Sequence, residues 1–214
     1  MGRKYDFAES VLLTQEDLQA RMRAVAQRIA DDYRDKDLRP ITNPLVLVCV
    51  LKGSFMFTAD LCRALFDMNV PTCVEFICVT SYCGGIASTG QVRMLLDTRQ
   101  SIEGKHVMIV EDIVDTALTM EYLYNMYKAR KPASMKTVVM LDKPEGRRVP
   151  FNADYVVARI PHVFVIGYGL DYEDCYREVR DVVVLHPKVY RDREPEQQGQ
   201  KGKEPEAGRV ESKL

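Results

Sequence analysis

Apolar and polar positions fall in blocks along this chain, and the blocks separate strands from helices. LVLVCVL at 45–51 is a continuous apolar run, the pattern of a strand covered on both faces. Between residues 14 and 33, Leu18, Met22, Val25 and Ile29 recur at spacings of four and three, which predicts a helix with one apolar stripe. Thr14 and Asp17 resemble a capping box at its start. Pro40 and Pro44 punctuate a loop, and Ser54 is placed to cap a second helix running to about Phe66. Residues 73–80 and KHVMIVED at 105–112 are further strands. A helix after Asp115 is expected to carry Leu118, Tyr122, Met126 and Ala129 on one face. Runs at 137–142, 155–160, 164–169 and 182–185 complete a strand-rich second half.

Alternation of strand and helix across residues 45–142 predicts an α/β fold, a mostly parallel twisted sheet with flanking helices. The terminal segments are expected to add a small hood subdomain, giving one domain over residues 1–189 with its core at about 45–160. In such sheets ligands sit beyond the carboxyl ends of the strands. Polar residues fall there repeatedly, at Lys52-Gly53, Ser81-Tyr82, Glu111-Asp112 and Asp142-Lys143, so several strand ends deliver chemistry to one rim. After Val189 the apolar content almost vanishes. Such a segment cannot bury enough surface to offset its ordering entropy, so residues 190–214 are expected to be a disordered tail. It ends in Ser212-Lys213-Leu214, which reads as an address for a peroxisomal import receptor. The expected location is a peroxisome-class organelle such as a glycosome, or otherwise the cytoplasm.

At 214 residues the chain suits one domain with a real core. Its 30 basic and 31 acidic residues leave a formal charge of −1, so neither nucleic acid nor a membrane is expected as a partner. No apolar run approaches the ~20 residues that span a bilayer, and the N-terminus lacks the apolar core of a signal peptide. The six cysteines, at 49, 62, 73, 78, 83 and 175, include no C-x-x-C pair. Cys73, Cys78 and Cys83 are evenly spaced without an evident fourth ligand. Free, mostly buried thiols in a reducing compartment are therefore expected in place of a zinc site. No chemical role is assigned to His106, His162 or His186; the first two are expected to mark strand entries.

The densest chemistry lies in KHVMIVEDIVDTALT at 105–119. An apolar stretch runs into Glu111 and Asp112, Asp115 opens a hydroxyl-bearing segment, and a helical pattern begins at once. The free N–H groups of a helix N-terminus attract an anion, while carboxylates take sugar hydroxyls or a hard cation. Position alone leaves Asp115 open between that chemistry and a plain N-cap.

The string VEDIVDT resembles the signature by which type I phosphoribosyltransferases bind 5-phosphoribosyl-1-pyrophosphate (PRPP). With VLKGSFMF at 50–57, VTSYCGGIASTGQV at 79–92 and FVIGYGLDYEDCYREV at 164–179, the likeness narrows to the hypoxanthine-guanine phosphoribosyltransferases and covers most of residues 45–185. That resemblance implies Mg²⁺-dependent transfer of the phosphoribosyl group of PRPP to hypoxanthine or guanine, giving IMP or GMP and pyrophosphate, in a homodimer or homotetramer.

The resemblance also implies roles for particular residues. Glu111 and Asp112 would hold the ribose hydroxyls, and Asp115, Thr116, Ala117, Leu118 and Thr119 the 5′-phosphate. Asp115 would be the acid/base at purine N7, and Lys143 would bond O6. Phe164 would stack on the base, Val165 would offer its backbone, and Ile113 and Leu170 would line the pocket beside Asp171. Lys52, the Gly53 amide, Ser81, Tyr82 and Arg177 would bind pyrophosphate, with Glu111, Asp112 and Asp171 at the Mg²⁺. Residues 81–92, with Gly84, Gly85 and Gly90, would form a lid, and the Lys52–Gly53 peptide is expected to be cis. Ala117 and Leu118 stand where the family commonly has glycine and a basic residue, which removes a cation from the phosphate site. Two other readings stay open: a relative that prefers xanthine, and a non-catalytic PRPP-sensing regulator.

Overall fold

The computed structural model describes residues 5–81 and 92–191. After β1 (Ala8–Leu13), the helix predicted from its four-three spacing forms as α1 (Gln15–Asp32). Leu18, Met22, Val25 and Ile29 are all buried, and the Thr14 hydroxyl accepts from the Asp17 amide at 3.2 Å. The run at 45–51 becomes β2 (Leu45–Leu51), which α2 (Phe55–Asp67) follows at once. Ser54 does not cap α2 through its side chain; its hydroxyl donates to the Val50 carbonyl at 2.6 Å instead, tying the turn to the strand it leaves.

Next come β3 (Thr72–Ser81), β4 (Val92–Leu96), β5 (His106–Val114), α3 (Leu118–Lys128), β6 (Ser134–Asp142) and β7 (Tyr155–Arg159). The six-stranded sheet runs β4-β3-β2-β5-β6-β7, parallel throughout except for the edge strand β4. Alternate side chains of β2 explain its unbroken apolar run. Leu45 and Leu47 join the core under α1 and α2, whereas Val46, Val48 and Val50 join the core under α3. Finally β8 (Val165–Ile166) and β9 (Val182–Leu185) pair with β1 as an antiparallel sheet, β1-β9-β8, before α4 (Lys188–Arg191). This is the expected hood built from the two ends of the chain. Buried Asp181 fastens it to the main body by accepting from the Gln15 amide at 2.9 Å.

Two expectations about the stretch from β5 to α3 are corrected. The strand does not stop at its acids but continues through Val114, so Glu111 lies opposite Val139 within the ladder. The helix starts at Leu118, after Ala117 in a left-handed conformation (φ 68°), and buries Met120, Leu123 and Tyr127. Tyr122 is exposed instead. The buried stripe continues from Ala117, so the left-handed entry sets which face meets the sheet. Among the described cysteines only Cys49 is fully buried, and Cys175 is exposed; all are free thiols. No described helix is long and apolar enough to cross a membrane.

Candidate active site

The site gathers at the carboxyl ends of β2, β5 and β6, where the hood leans over the sheet. At the end of β2 the cis peptide is Leu51–Lys52, one residue before the position expected from the family. The turn that follows is pressed between two neighbours. A Cβ on Gly53 would lie 1.5 Å from Asp112 Oδ2, and one on Gly169 would lie 2.2 Å from the Gly53 carbonyl oxygen. Gly169 also has φ +101°, so both position and dihedral require glycine there. Backbone from the hood thus stacks on the Gly53 turn, and that turn closes on Asp112.

Glu111 and Asp112 stand side by side with little water. Burial, and then the neighbouring Asp112 charge, pushes the Glu111 carboxyl well above its ordinary range. Burial raises Asp112 as well, against the lowering influence of its hydrogen bonds and of Arg177. Glu111 Oε2 is buried with no hydrogen-bond partner. Such a pair suits sugar hydroxyls that donate or a divalent cation that neutralises. Asp171 is not gathered with these acids into one cluster; no group of three or more His, Cys, Asp or Glu able to hold a metal occurs among the described residues. Asp171 instead pairs with Arg177 at 2.9 Å and accepts the Asp174 amide at 2.8 Å. The donor set therefore fits a cation bound through one or two carboxylates and completed by substrate oxygens and water, not a protein cage.

A cavity of about 220 Å³ opens beyond β5, lined by residues 111–117, Thr119 and Met120. Leu118, assigned to the same phosphate group, does not line it. Three successive carbonyls here are held by the segment after β6. Val114 O accepts from the Lys143 amide at 2.9 Å and from Arg147 Nη1 at 2.8 Å, Asp115 O from Arg147 Nη1 at 2.7 Å, and Thr116 O from the Arg148 amide at 3.0 Å. A loop whose carbonyls are tied on one side can turn its N–H groups to an anion on the other. Arg147, which also grips Asp142, was not singled out in the sequence. Its signal, a basic pair after the turn Pro144–Gly146, looks like any solvated loop.

Asp115 is not the helix cap; that position belongs to Ala117, which makes no side-chain capping bond. The carboxylate is left between two nitrogens. Lys143 Nζ lies 3.7 Å from Oδ2 and His162 Nδ1 lies 3.5 Å from Oδ1. Lys143 is only 7% exposed, and burial lowers its proton affinity against the raising influence of Asp115. His162 does not enter a strand; it sits in the loop between β7 and β8, whereas His106 does open β5. Phe164, half exposed at the end of that loop, meets the Tyr172 ring edge-on at 6.0 Å. Val165 and Leu170 are buried in the main core, with Ile113 packed against it. Lys52 and Arg177 Nη2 both contact Asp174 Oδ1 at 2.8 Å, so a single carboxylate bridges the two expected pyrophosphate cations. Lys52 first, then Arg177, holds the Asp174 carboxyl below the usual range. Ser81 ends β3, while Tyr82 and the expected lid glycines lie outside the described residues.

Adjacent acids inside a parallel strand, an anion-ready loop after it and the Lys52–Arg177 cation pair bridged by Asp174 define a phosphoribosyltransferase. Residues 12–173 match the family model of the phosphoribosyl transferase domain. The chain is 55% identical to the hypoxanthine-guanine phosphoribosyltransferase of Leishmania donovani, over 88% of its own length and 89% of that protein's. It is 52% identical to that of Crithidia fasciculata, over 88% and 90%. A Trypanosoma cruzi hypoxanthine phosphoribosyltransferase solved in complex with the product IMP superposes with a TM-score of 0.84 at 71% identity, covering 88% of this chain and all of that one. The chain belongs to the hypoxanthine-guanine phosphoribosyltransferases, enzymes of purine salvage.

Proposed function

We propose that the rim transfers the phosphoribosyl group of PRPP to hypoxanthine or guanine, with Asp115 and Lys143 reading one edge of the purine. The observation that carries this reading is the 3.7 Å separation of Lys143 Nζ from Asp115 Oδ2. A 6-oxopurine presents a donor, N7–H, beside an acceptor, O6. A carboxylate next to an ammonium complements that pair, whereas the 6-amino group of adenine would set a donor against a donor. In the reaction N9 bonds to the anomeric carbon, the bond from that carbon to pyrophosphate oxygen breaks with its electron pair, and the N7 proton passes to Asp115.

The remaining residues bind and orient. Glu111 and Asp112 take the ribose hydroxyls, which supply the donors that Glu111 Oε2 lacks. The loop from Asp115 to Thr119 takes the 5′-phosphate, and Phe164 covers the base. Lys52, Gly53, Ser81, Tyr82 and Arg177 hold pyrophosphate, so Asp174 must release the two cations it bridges. Mg²⁺, held through Glu111, Asp112 or Asp171, would neutralise charge on the departing pyrophosphate. Homo-oligomeric assembly is part of the proposal; a T. cruzi relative with TM-score 0.87 and 70% identity, covering 90% of this chain and 99% of its own, was solved to study its C-terminal region in oligomeric state and activity. Import into a glycosome-type organelle through Ser212-Lys213-Leu214 completes it.

The test is a PRPP- and Mg²⁺-dependent assay of hypoxanthine, guanine, xanthine and adenine side by side. Turnover of hypoxanthine and guanine without adenine supports the pairing of Lys143 with O6. Dominant xanthine turnover would keep the chemistry and replace the substrate. No turnover with PRPP still bound would leave the regulatory reading.

A further inference from the structure

We propose that His162 is a positioning residue for Asp115, pairing with its Oδ1 and setting how strongly this carboxylate holds a proton during purine attack. The proposal rests on the reading of Asp115 as the acid/base. The carboxylate is addressed from both sides by different elements. Lys143, after β6, faces Oδ2 at 3.7 Å, and His162, after β7, faces Oδ1 at 3.5 Å. Oδ1 is buried and makes no hydrogen bond, so a movement of well under 1 Å by His162 would supply one.

The backbone leaves room for this meeting. A Cβ on Gly146 would lie 1.6 Å from Asp115 Oδ1 and 3.2 Å from His162 Nδ1, so the missing side chain is what lets the two approach. The His162 side chain is 58% exposed, which gives its other face to solvent and to proton exchange. The neighbouring arginines are engaged elsewhere. Arg147 spends its guanidinium on the Val114 and Asp115 carbonyls and on Asp142, while Arg159 faces Asp142 at 3.6 Å. Histidine is the side chain that changes charge between pH 5 and 8. A neutral imidazole donating to Oδ1 orients Asp115 as a base. An imidazolium beside it stabilises the carboxylate and weakens it as a proton acceptor. Forward transfer should therefore slow in acid, while the reverse reaction, which needs a proton from Asp115, gains a stronger acid.

The test compares wild type with His162→Asn and His162→Gln, each at saturating PRPP and Mg²⁺. The expected result is an acid limb in the wild-type forward kcat that disappears in His162→Asn, whose amide can still donate to Oδ1 but does not titrate, with KM for PRPP unchanged. A profile of unchanged shape, or an equal loss at every pH, overturns the proposal. A second readout does not depend on turnover. With three histidines in the chain, the His162 ring can be followed by NMR, and Asp115→Asn should change its ring chemical shifts at fixed pH. Asp115→Asn with near-normal kcat would instead overturn the acid/base reading and this proposal with it. An inactive Asp115→Asn with an unmoved imidazole overturns the role of His162 alone.

Discussion

Ala117 occupies a conformation that L-residues adopt at a cost, and its substitutions show which effect wins. A left-handed alanine costs about 1–2 kcal/mol, which glycine would relieve. Glycine in turn adds freedom to the unfolded chain and removes a methyl that is buried in the core under α3. These offset, so Ala117→Gly should change stability by less than about 1 kcal/mol in denaturant titration. Ala117→Val, β-branched at the same φ of 68°, should cost more than about 2 kcal/mol, and a smaller loss would show that the entry relaxes. At Asp115, substitution by asparagine keeps the shape and removes the base, so kcat should fall by about 10²-fold or more. Lys143→Ala should erode discrimination against adenine while PRPP affinity persists, because in the proposed arrangement its ammonium faces the purine edge and the Asp115 carboxylate.

The β5–α3 loop owes its shape to the element beside it. Arg147 holds two of its carbonyls and reaches back to Asp142 at the end of β6. Arg147→Ala should raise KM for PRPP by about tenfold, since the amides would no longer be aimed. Lysine should restore little of this, because one ammonium cannot replace a planar fork. Equal KM values in wild type and Arg147→Ala would mean that the loop aims itself. None of this was legible in the residues after β6, where an arginine pair reads as solvated loop. The Glu111-Asp112 pair was legible, yet its place inside the ladder was not; an apolar run cannot reveal how far the neighbouring strand continues to pair with it.

Across the folded chain, charge is used both against stability and for it. Glu111 and Asp112 are buried together with raised proton affinities, so they cost stability in the ligand-free enzyme. Glu111→Gln, whose amide can donate to Asp112, should raise Tm of the ligand-free protein by about 2–4 °C while abolishing PRPP binding. An unchanged or lower Tm would refute that cost. Asp97 works the other way. Hydrogen bonds from Arg130 hold it at about 2, below its ordinary 3.8, and so anchor the end of α3 to the segment after β4. A depressed carboxyl contributes above its unfolded value and loses that contribution as pH falls through the folded one. Asp97→Asn should therefore flatten the stability profile between about pH 4 and 2 and cost about 1 kcal/mol at neutral pH, discounted for the exposure of the pair.

The sequence by itself determined the class of fold, the parallel strands of the sheet but not the antiparallel edge strand β4 or β1 of the hood, the amphipathic helix α1 and the family, because these depend on local periodicity and on contiguous strings such as VEDIVDT. Only the tertiary structure decided what surrounds Asp115. His162 and Lys143 are 19 residues apart in the chain, and they meet one carboxylate because β6 and β7 run parallel and end at the same rim. Gly146 and Arg147 likewise gain their importance from what lies against them. Contact between strand ends is a property of sheet order, and no run of neighbouring residues encodes it.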